Sequence, residues 1–375
     1  MTEKIHLLFE NTYRSLADRI REDGYAATSV TGAYGGMYGR DASVHALCHV
    51  LRGDYDLARK IMEYTVDYHN QHGFDYLIHV LDPAHRNPCM KCQADATFFF
   101  LHTWVTFANT APKTDENKAF LENSYERVTI FAHYFLQNGA LDNPYGLLFN
   151  QSLEHSRDRS YFQCYDLLTN VYASQALHEL AQLVAETDPE NAKVWESAAA
   201  TIVKGVHNFL VGEVDGKKMY AELIGRSQKS IDANPNAARR DILGFSWVNL
   251  APMSCDWYAA DPEMLENTYQ AYLKYGYVEY YGKYQMLDSF TAFETELAPA
   301  AKGTHVLGKG LAWEMMYCKK MGYTDRLQEL LIFLEDCCDQ VVRESWLPEG
   351  GGSDTGNQEH AGWLHIAYQA VASNQ

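Results

Sequence analysis

The sequence predicts an all-α protein built from paired helical hairpins. Three observations carry that reading. Apolar residues recur at three- and four-residue spacing through most of the 375-residue chain. Asp-Pro-Glu starts and single glycine stops punctuate these segments. Strand-like alternation is confined to one short stretch.

The elements follow in order. Periodic apolar spacing predicts helices over 41–51 and 55–69, with Gly53 closing the first. Segments 94–107, 117–136 and 161–185 carry the same spacing. Asp188-Pro189-Glu190 places a capping Asp before a Pro suited to the first helical position, and opens the helix over 191–210. Asp261-Pro262-Glu263 opens the helix over 262–275 in the same way. Helices over 306–321 and 325–342 are divided by Gly322, and the last runs over 359–372. Between 211 and 224, Asp215-Gly216 lies between apolar residues and predicts one short hairpin. No Ser/Pro-rich linker divides the chain, so 1–375 is read as one domain. About a dozen helices joined by alternately short and long connections suggest a ring of hairpins. The long connections (28–40, 73–93, 138–160 and 344–358) are rich in Gly, Pro and aromatic residues. Long structureless loops in a compact domain are usually functional or disordered, and their aromatic content argues for function.

Composition narrows the partners. The net charge is −18, which opposes nucleic acid and anionic membrane surfaces. Hydrophobic residues make up 47% of the chain, enough for a sizeable core. There are 26 Tyr; much of that aromatic content must be core, and an excess of Tyr and Trp is also what a sugar-stacking surface would need. Met1-Thr2-Glu3-Lys4-Ile5-His6 has no apolar leader core, and no apolar stretch approaches the ~20 residues needed to span a bilayer. The eight scattered Cys read as reduced thiols, and the expected location is cytoplasmic. Cys89-Met90-Lys91-Cys92 has metal-type spacing but no second pair completes four ligands, so no metal is expected. Gly308-Lys309-Gly310 lacks the rest of a phosphate-binding loop, and no Gly-x-Ser-x-Gly elbow occurs. His45, His49, His69 and His72 lie on or beside helices and read as core or surface residues.

Four polar segments stand at helix starts. Arg40-Asp41 follows Tyr34-Gly35-Gly36-Met37-Tyr38-Gly39. Such a pair can grip two neighbouring sugar hydroxyls, one as donor and one as acceptor, or Asp41 can simply cap its helix. Gln93 and Asp95 precede an apolar run, with the same two readings. Glu154 follows an apolar approach that includes Phe149 and Leu153, where burial would raise its pKa toward that of a general acid while Arg157 and Arg159 would push the other way, or it lies on a charged surface loop. Ser345-Trp346-Leu347-Pro348-Glu349-Gly350-Gly351-Gly352 sets a carboxylate between a Trp and three glycines: a solvated turn, or a general base beside a bound ring.

In this order the segments resemble the glucoamylase-like superfamily of six-hairpin glycosidases, over most of the chain. Tyr38-Gly39-Arg40-Asp41-Ala42 is similar to that family's aromatic-x-Arg-Asp-Ser/Ala sugar-binding motif. Gln93-Ala94-Asp95 resembles its Gln-x-Asp, and Leu153-Glu154 falls where its Trp-Glu-Glu general acid stands. Leu347-Pro348-Glu349 resembles its Pro-Glu-Gln general-base segment, followed by a closing helix that holds Trp363. The chain departs from the pattern at Leu153, His155 and Gly350. The resemblance implies an (α/α)6 toroid and an inverting α-glycosidase acting on short soluble glycosides, without a cofactor. In it Glu154 is the acid and Glu349 the base, with Glu344 or Asp354 as alternative bases. Tyr38, Arg40, Asp41, Gln93, Asp95, Trp346 and Trp363 bind substrate. The partner is a small carbohydrate, and a homo-oligomer is left open. Two other classes stay in view. One is a sugar epimerase using His305, His360 or His365 as acid and base. The other is a non-catalytic helical scaffold.

Overall fold

The computed structural model describes residues 2–31, 34–83, 89–155, 160–229, 244–292 and 305–372, without the side chains of 89, 154–155, 160–161, 244–245 and 290–292. Twelve helices lie among the described residues. They are α1 (Glu3–Ala17), α2 (Gly39–Arg52), α3 (Tyr55–His72), α4 (Ala94–Thr110), α5 (Asp115–Tyr134), α6 (Leu167–Val184), α7 (Pro189–Phe209), α8 (Ala251–Ser254), α9 (Pro262–Tyr275), α10 (Gly308–Met321), α11 (Thr324–Cys337) and α12 (Gln358–Ala372). The even-numbered helices pack in sequence, α2 on α4, α4 on α6, α6 on α8, α8 on α10, α10 on α12, and α12 back on α2. They form a closed inner ring, and the odd-numbered helices lie outside it. The last inner helix takes its outer partner from the start of the chain: α1 packs on α12, with Phe9 stacked on Tyr368 at 4.4 Å.

Burial separates the two rings. Every residue of α2 from Gly39 to Val50, and of α12 from Gln358 to Tyr368, is buried. An element enclosed on all sides must be apolar or internally paired around its whole circumference. The outer α3 buries only a stripe, Ala58, Ile61, Met62, Thr65, Val66, Tyr68 and His69. One continuous hydrophobic cluster draws residues from all twelve helices. A small satellite cluster, Leu153, Phe162 and Cys164, lies beneath two strands.

The capping signals act as read. Asp188 accepts the Asn191 N–H and Asp261 accepts those of Glu263 and Met264. Gly53 and Gly322 end α2 and α10 with φ of 90° and 76°, in the left-handed region where glycine meets no Cβ penalty. The Asp-Gly hairpin pairs Val211–Val214 with Lys217–Tyr220 across Asp215 and Gly216, both at positive φ.

Strands are more numerous than the sequence suggests. Short antiparallel strands lead into every inner helix: Met37–Tyr38 into α2, Cys89–Cys92 toward α4, Ser160–Asp166 into α6, Gly244–Ser246 toward α8, Val306–Leu307 into α10 and Gly352–Thr355 toward α12. The described parts of the long connections are therefore structured, and they lead to the starts of the inner helices at one end of the ring. The helix expected from 161 begins instead at Leu167. Before it, Phe162 and Cys164 are buried while Gln163 and Tyr165 are half-buried, a two-residue period that belongs to a strand. Asp166 caps the helix, accepting the N–H and hydroxyl of Thr169 at 2.7 Å each. Helix α1, with Ile5, Leu8, Phe9, Thr12 and Leu16 on one face, was not anticipated, nor was α8. The helix expected to reach 342 stops at Cys337, after which the chain turns toward the strand Arg343–Trp346. Among the described residues no helix is long and apolar enough to cross a membrane.

Candidate active site

At the N-terminal end of the inner ring lies a narrow pocket of about 50 Å³. Arg40 and Asp41 enter it from the first turn of α2, and Lys309 from the first turn of α10. Asn357, Glu359 and His360 enter at the start of α12, where the Asn357 side-chain oxygen accepts the N–H groups of Glu359 and His360. The connections supply the rest: Tyr34, Tyr38, His79, Gln93 and Glu344.

The floor is a chain of buried charges. Arg40 Nη1 donates to Asp95 Oδ2 at 2.9 Å, and its Nε lies 3.2 Å from Glu359 Oε1. Lys309 Nζ lies 3.2 Å and 3.3 Å from the two Glu359 oxygens and 3.8 Å over the ring of Trp247. Burial pushes the Glu359 carboxyl up, but Arg40 and Lys309 outweigh burial and hold it below its ordinary value. Asp95 is in turn held by Asn150, whose Nδ2 donates to Asp95 Oδ1 at 3.0 Å and to Thr169 Oγ1 at 2.9 Å. Thr169 donates onward to Asp166, whose carboxyl burial raises to about 7. Each of the five full-length inner helices contributes a side chain to this network, and the turn before α8 adds Trp247. The guanidinium of Arg40 is therefore fixed by partners on two neighbouring helices before any ligand arrives.

Glu344 sits on the strand Arg343–Trp346 with its carboxylate half-buried in the pocket. Tyr34 donates its hydroxyl to both Glu344 oxygens at 2.9 Å. The rings of Tyr34, Tyr38 and His79 pack edge-on in a row, at 5.4 Å and 4.9 Å between centroids. Gln93 joins two walls, meeting His79 Nδ1 at 2.6 Å through its carbonyl and donating to the Ser152 carbonyl at 3.1 Å.

The residues singled out from sequence distribute as follows. Tyr38, Arg40, Asp41 and Gln93 line the pocket. Asp95 lies behind it, fully buried, and acts on Arg40. Neither Asp41 nor Gln93 caps a helix through its side chain; the caps of α2 and α4 make no side-chain bond. Glu349 occupies the exposed turn between Arg343–Trp346 and Gly352–Thr355, outside the pocket lining. Asp354 accepts the hydroxyls of Ser29 and Thr31 and braces two loops. Trp346 is 0% exposed, packs on Phe333 and donates to the Cys337 carbonyl. Trp363 is buried against Trp313 and Phe99. Both indoles are core, as large apolar side chains usually are, and present no face to the pocket. Glu154 lies on the strand Asn150–His155, paired with residue 161; its side chain is outside the described residues. Of the three histidines weighed for an epimerase, His360 lines the pocket, whereas His365 is buried beside Arg52. Sequence reasoning missed Tyr34, His79, Lys309, Asn357 and Glu359. Lys309 carried a signal, a cation opening an apolar helix between two glycines, but it was read only as a fragment of a phosphate loop. Among the described residues no three His, Cys, Asp or Glu side chains converge as a metal site.

No family model matches the sequence, and a search of curated proteins finds no match. Solved structures do match. A bacterial glucoamylase complexed with acarbose superposes over 97% of this chain with a TM-score of 0.69 at 12% identity. The chain has the glucoamylase-like six-hairpin fold. It spans 55% of that glucoamylase. Two other six-hairpin proteins are similar in length to this chain. A metal-independent α-mannosidase from Streptococcus pneumoniae, in a complex with α-1,6-mannobiose, has a TM-score of 0.66 at 13% identity, over 98% of this chain and 94% of its own. Mannosylglycerate hydrolase from Thermus thermophilus has 0.64 at 13%, over 96% of this chain and all of its own.

Proposed function

We propose that this chain is one catalytic domain, an inverting glycoside hydrolase that releases a sugar from short soluble glycosides. One observation carries the reading: a half-buried carboxylate, Glu344, opens into the same pocket as the buried Arg40-Asp41 pair. Two carboxyl groups flanking a glycosidic bond are the minimum machinery for its hydrolysis. Glu344 is the base we assign, in place of Glu349, because a base must reach the water it deprotonates. The Tyr34 hydroxyl orients its carboxylate. Glu154 remains our candidate acid. Its strand is tied to the sugar clamp through Asn150 on Asp95 and the Ser152 carbonyl on Gln93. Inversion requires the two carboxyl groups to stand ~6.5–9.5 Å apart, leaving room for water. Arg40 and Asp41 hold adjacent hydroxyls as donor and acceptor. The similar structures of a glucoamylase, a mannosylglycerate hydrolase and an α-mannosidase support the same class.

The test is an NMR time course on a panel of aryl glycosides and disaccharides. The expected result is cleavage of one linkage with the inverted anomer appearing first. First release of the retained anomer refutes inversion. A second reading rests on two imidazoles, His79 and His360, that line the same pocket. If no glycoside is cleaved but a free sugar takes up solvent deuterium at a ring carbon, an epimerase using that pair replaces the hydrolase.

A further inference from the structure

Lys309 is the least expected group in the pocket. It is 2% exposed, yet it is a cation on an inner helix whose neighbours are mostly apolar. Burying an ammonium is costly even when it is paired, and a hydrophobic side chain of similar volume usually serves stability as well or better. The pairing here is also shared. Glu359 is already engaged by the Arg40 Nε at 3.2 Å, so its carboxylate has a cation without Lys309.

The geometry around Nζ leaves a direction to use. An ammonium carries three N–H donors. The nearly equal distances to the Glu359 oxygens, 3.2 Å and 3.3 Å, fit one N–H aimed between them. The Trp247 ring, 3.8 Å away, covers a second side by cation–π contact. The third side faces the pocket, whose lining includes Lys309. The backbone is fixed as well: the Lys309 N–H donates to His360 Nδ1 at 3.2 Å, tying the start of α10 to α12.

We propose that Lys309 is a specificity-determining residue, donating a hydrogen bond from its ammonium to one hydroxyl of the sugar held by Arg40 and Asp41. The proposal rests on the pocket being a sugar site, as argued above. A charged donor fixed in a buried position discriminates sharply, because a sugar lacking that hydroxyl leaves the donor unmatched. Glu359 and Trp247 aim the ammonium, and the sugar completes its shell.

The test compares the parent protein with Lys309→Met and Lys309→Arg. The substrates are the best glycoside found and its series of monodeoxy analogues. On the parent glycoside, Lys309→Met is expected to lose roughly 10- to 100-fold in kcat/KM, the usual worth of a hydrogen bond to a charged group. On one analogue, the one lacking the contacted hydroxyl, the loss should vanish. Lys309→Arg keeps the charge and the Glu359 partner, and should show the same selective loss. It stands in if thermal melting shows that Lys309→Met does not fold. An equal loss on every analogue, or no loss at all, overturns the proposal. If the protein cleaves no glycoside, the hydrolase reading fails separately. Equilibrium titration of free monosaccharides and their deoxy counterparts by NMR then decides: a penalty confined to one hydroxyl and abolished in the variant supports Lys309, and its absence overturns it.

Discussion

At the scale of single residues, the pocket is organised by which carboxylates are tied up and which face the cavity. Asp95 and Glu359 are buried and committed to Arg40 and Lys309. Glu344 accepts the hydroxyls of Tyr34 and Ser353 and opens into the cavity. A carboxylate balanced against two buried cations is a poor base, since taking a proton would leave those cations uncompensated. Pairing with two cations sets Glu359 aside as the base, and exposure sets Glu349 aside. Glu344→Gln is expected to lower kcat by about 10²–10⁴-fold, the range for loss of a general base, with little change in melting temperature. Glu349→Gln should stay within about two-fold of the parent. Steady-state rates on the substrate found in the NMR panel check both, and the reverse ranking would return the role to Glu349.

At the scale of elements, the hairpin 343–355 matters most. Its strands pair Ser345 with Ser353 and Trp346 with Gly352, and its first strand carries Glu344. The glycine run that suggested a ligand-hugging loop serves this closure instead. A Cβ at Gly352 would stand 1.9 Å from the carbonyl oxygen of Ser345, a contact that backbone cannot relieve locally. Gly352→Ala is therefore expected to pry the strands apart beside Glu344. It should cost about 1–3 kcal/mol, as overpacking does, and cut kcat at least ten-fold. Urea denaturation and the same rate assay check the pair of effects. Loss of stability with full activity would mean that the hairpin does not position Glu344.

At the scale of the molecule, closing a ring of buried helices encloses polar groups that must stay neutral. His45, His49, His69 and His365 are all buried. Burial lowers His49, His69 and His365 to about 4, and burial together with His49 and Arg19 takes His45 well below its ordinary value. The bonding of His69 requires the neutral ring: Nδ1 donates to the Thr65 carbonyl while Nε2 accepts the Ile78 N–H. Below pH ~6.5 the unfolded chain binds protons on these residues that the folded chain refuses, so stability must fall with pH from there toward 4. Each histidine contributes on the order of 1–3 kcal/mol across that window. The urea midpoint is expected to drop clearly between pH 7 and pH 5. An unchanged midpoint would show that the imidazoles are paired with charge in the fold.

The sequence by itself determined ten of the twelve helices and their order. Periodicity and caps are local, written within a few residues of one another, as at Asp188, Asp261, Gly53 and Gly322. It also marked Arg40, Asp41 and Gln93, because polar residues opening an apolar helix stand out against their neighbours. The short strands were illegible, since runs of two to seven residues are too brief to show a period of their own. For the strand Ser160–Asp166, a two-residue period ran directly into a helical one. Only the tertiary structure sets which of these carboxylates lines the pocket. Whether Glu344 or Glu349 faces the pocket depends on hairpin register, and a turn of a few residues carries one into solvent while the other stays within. Only closure of the ring brought Lys309 and Glu359 beside Arg40. They stand some 270 and 320 residues along the chain from it, and no local rule links them.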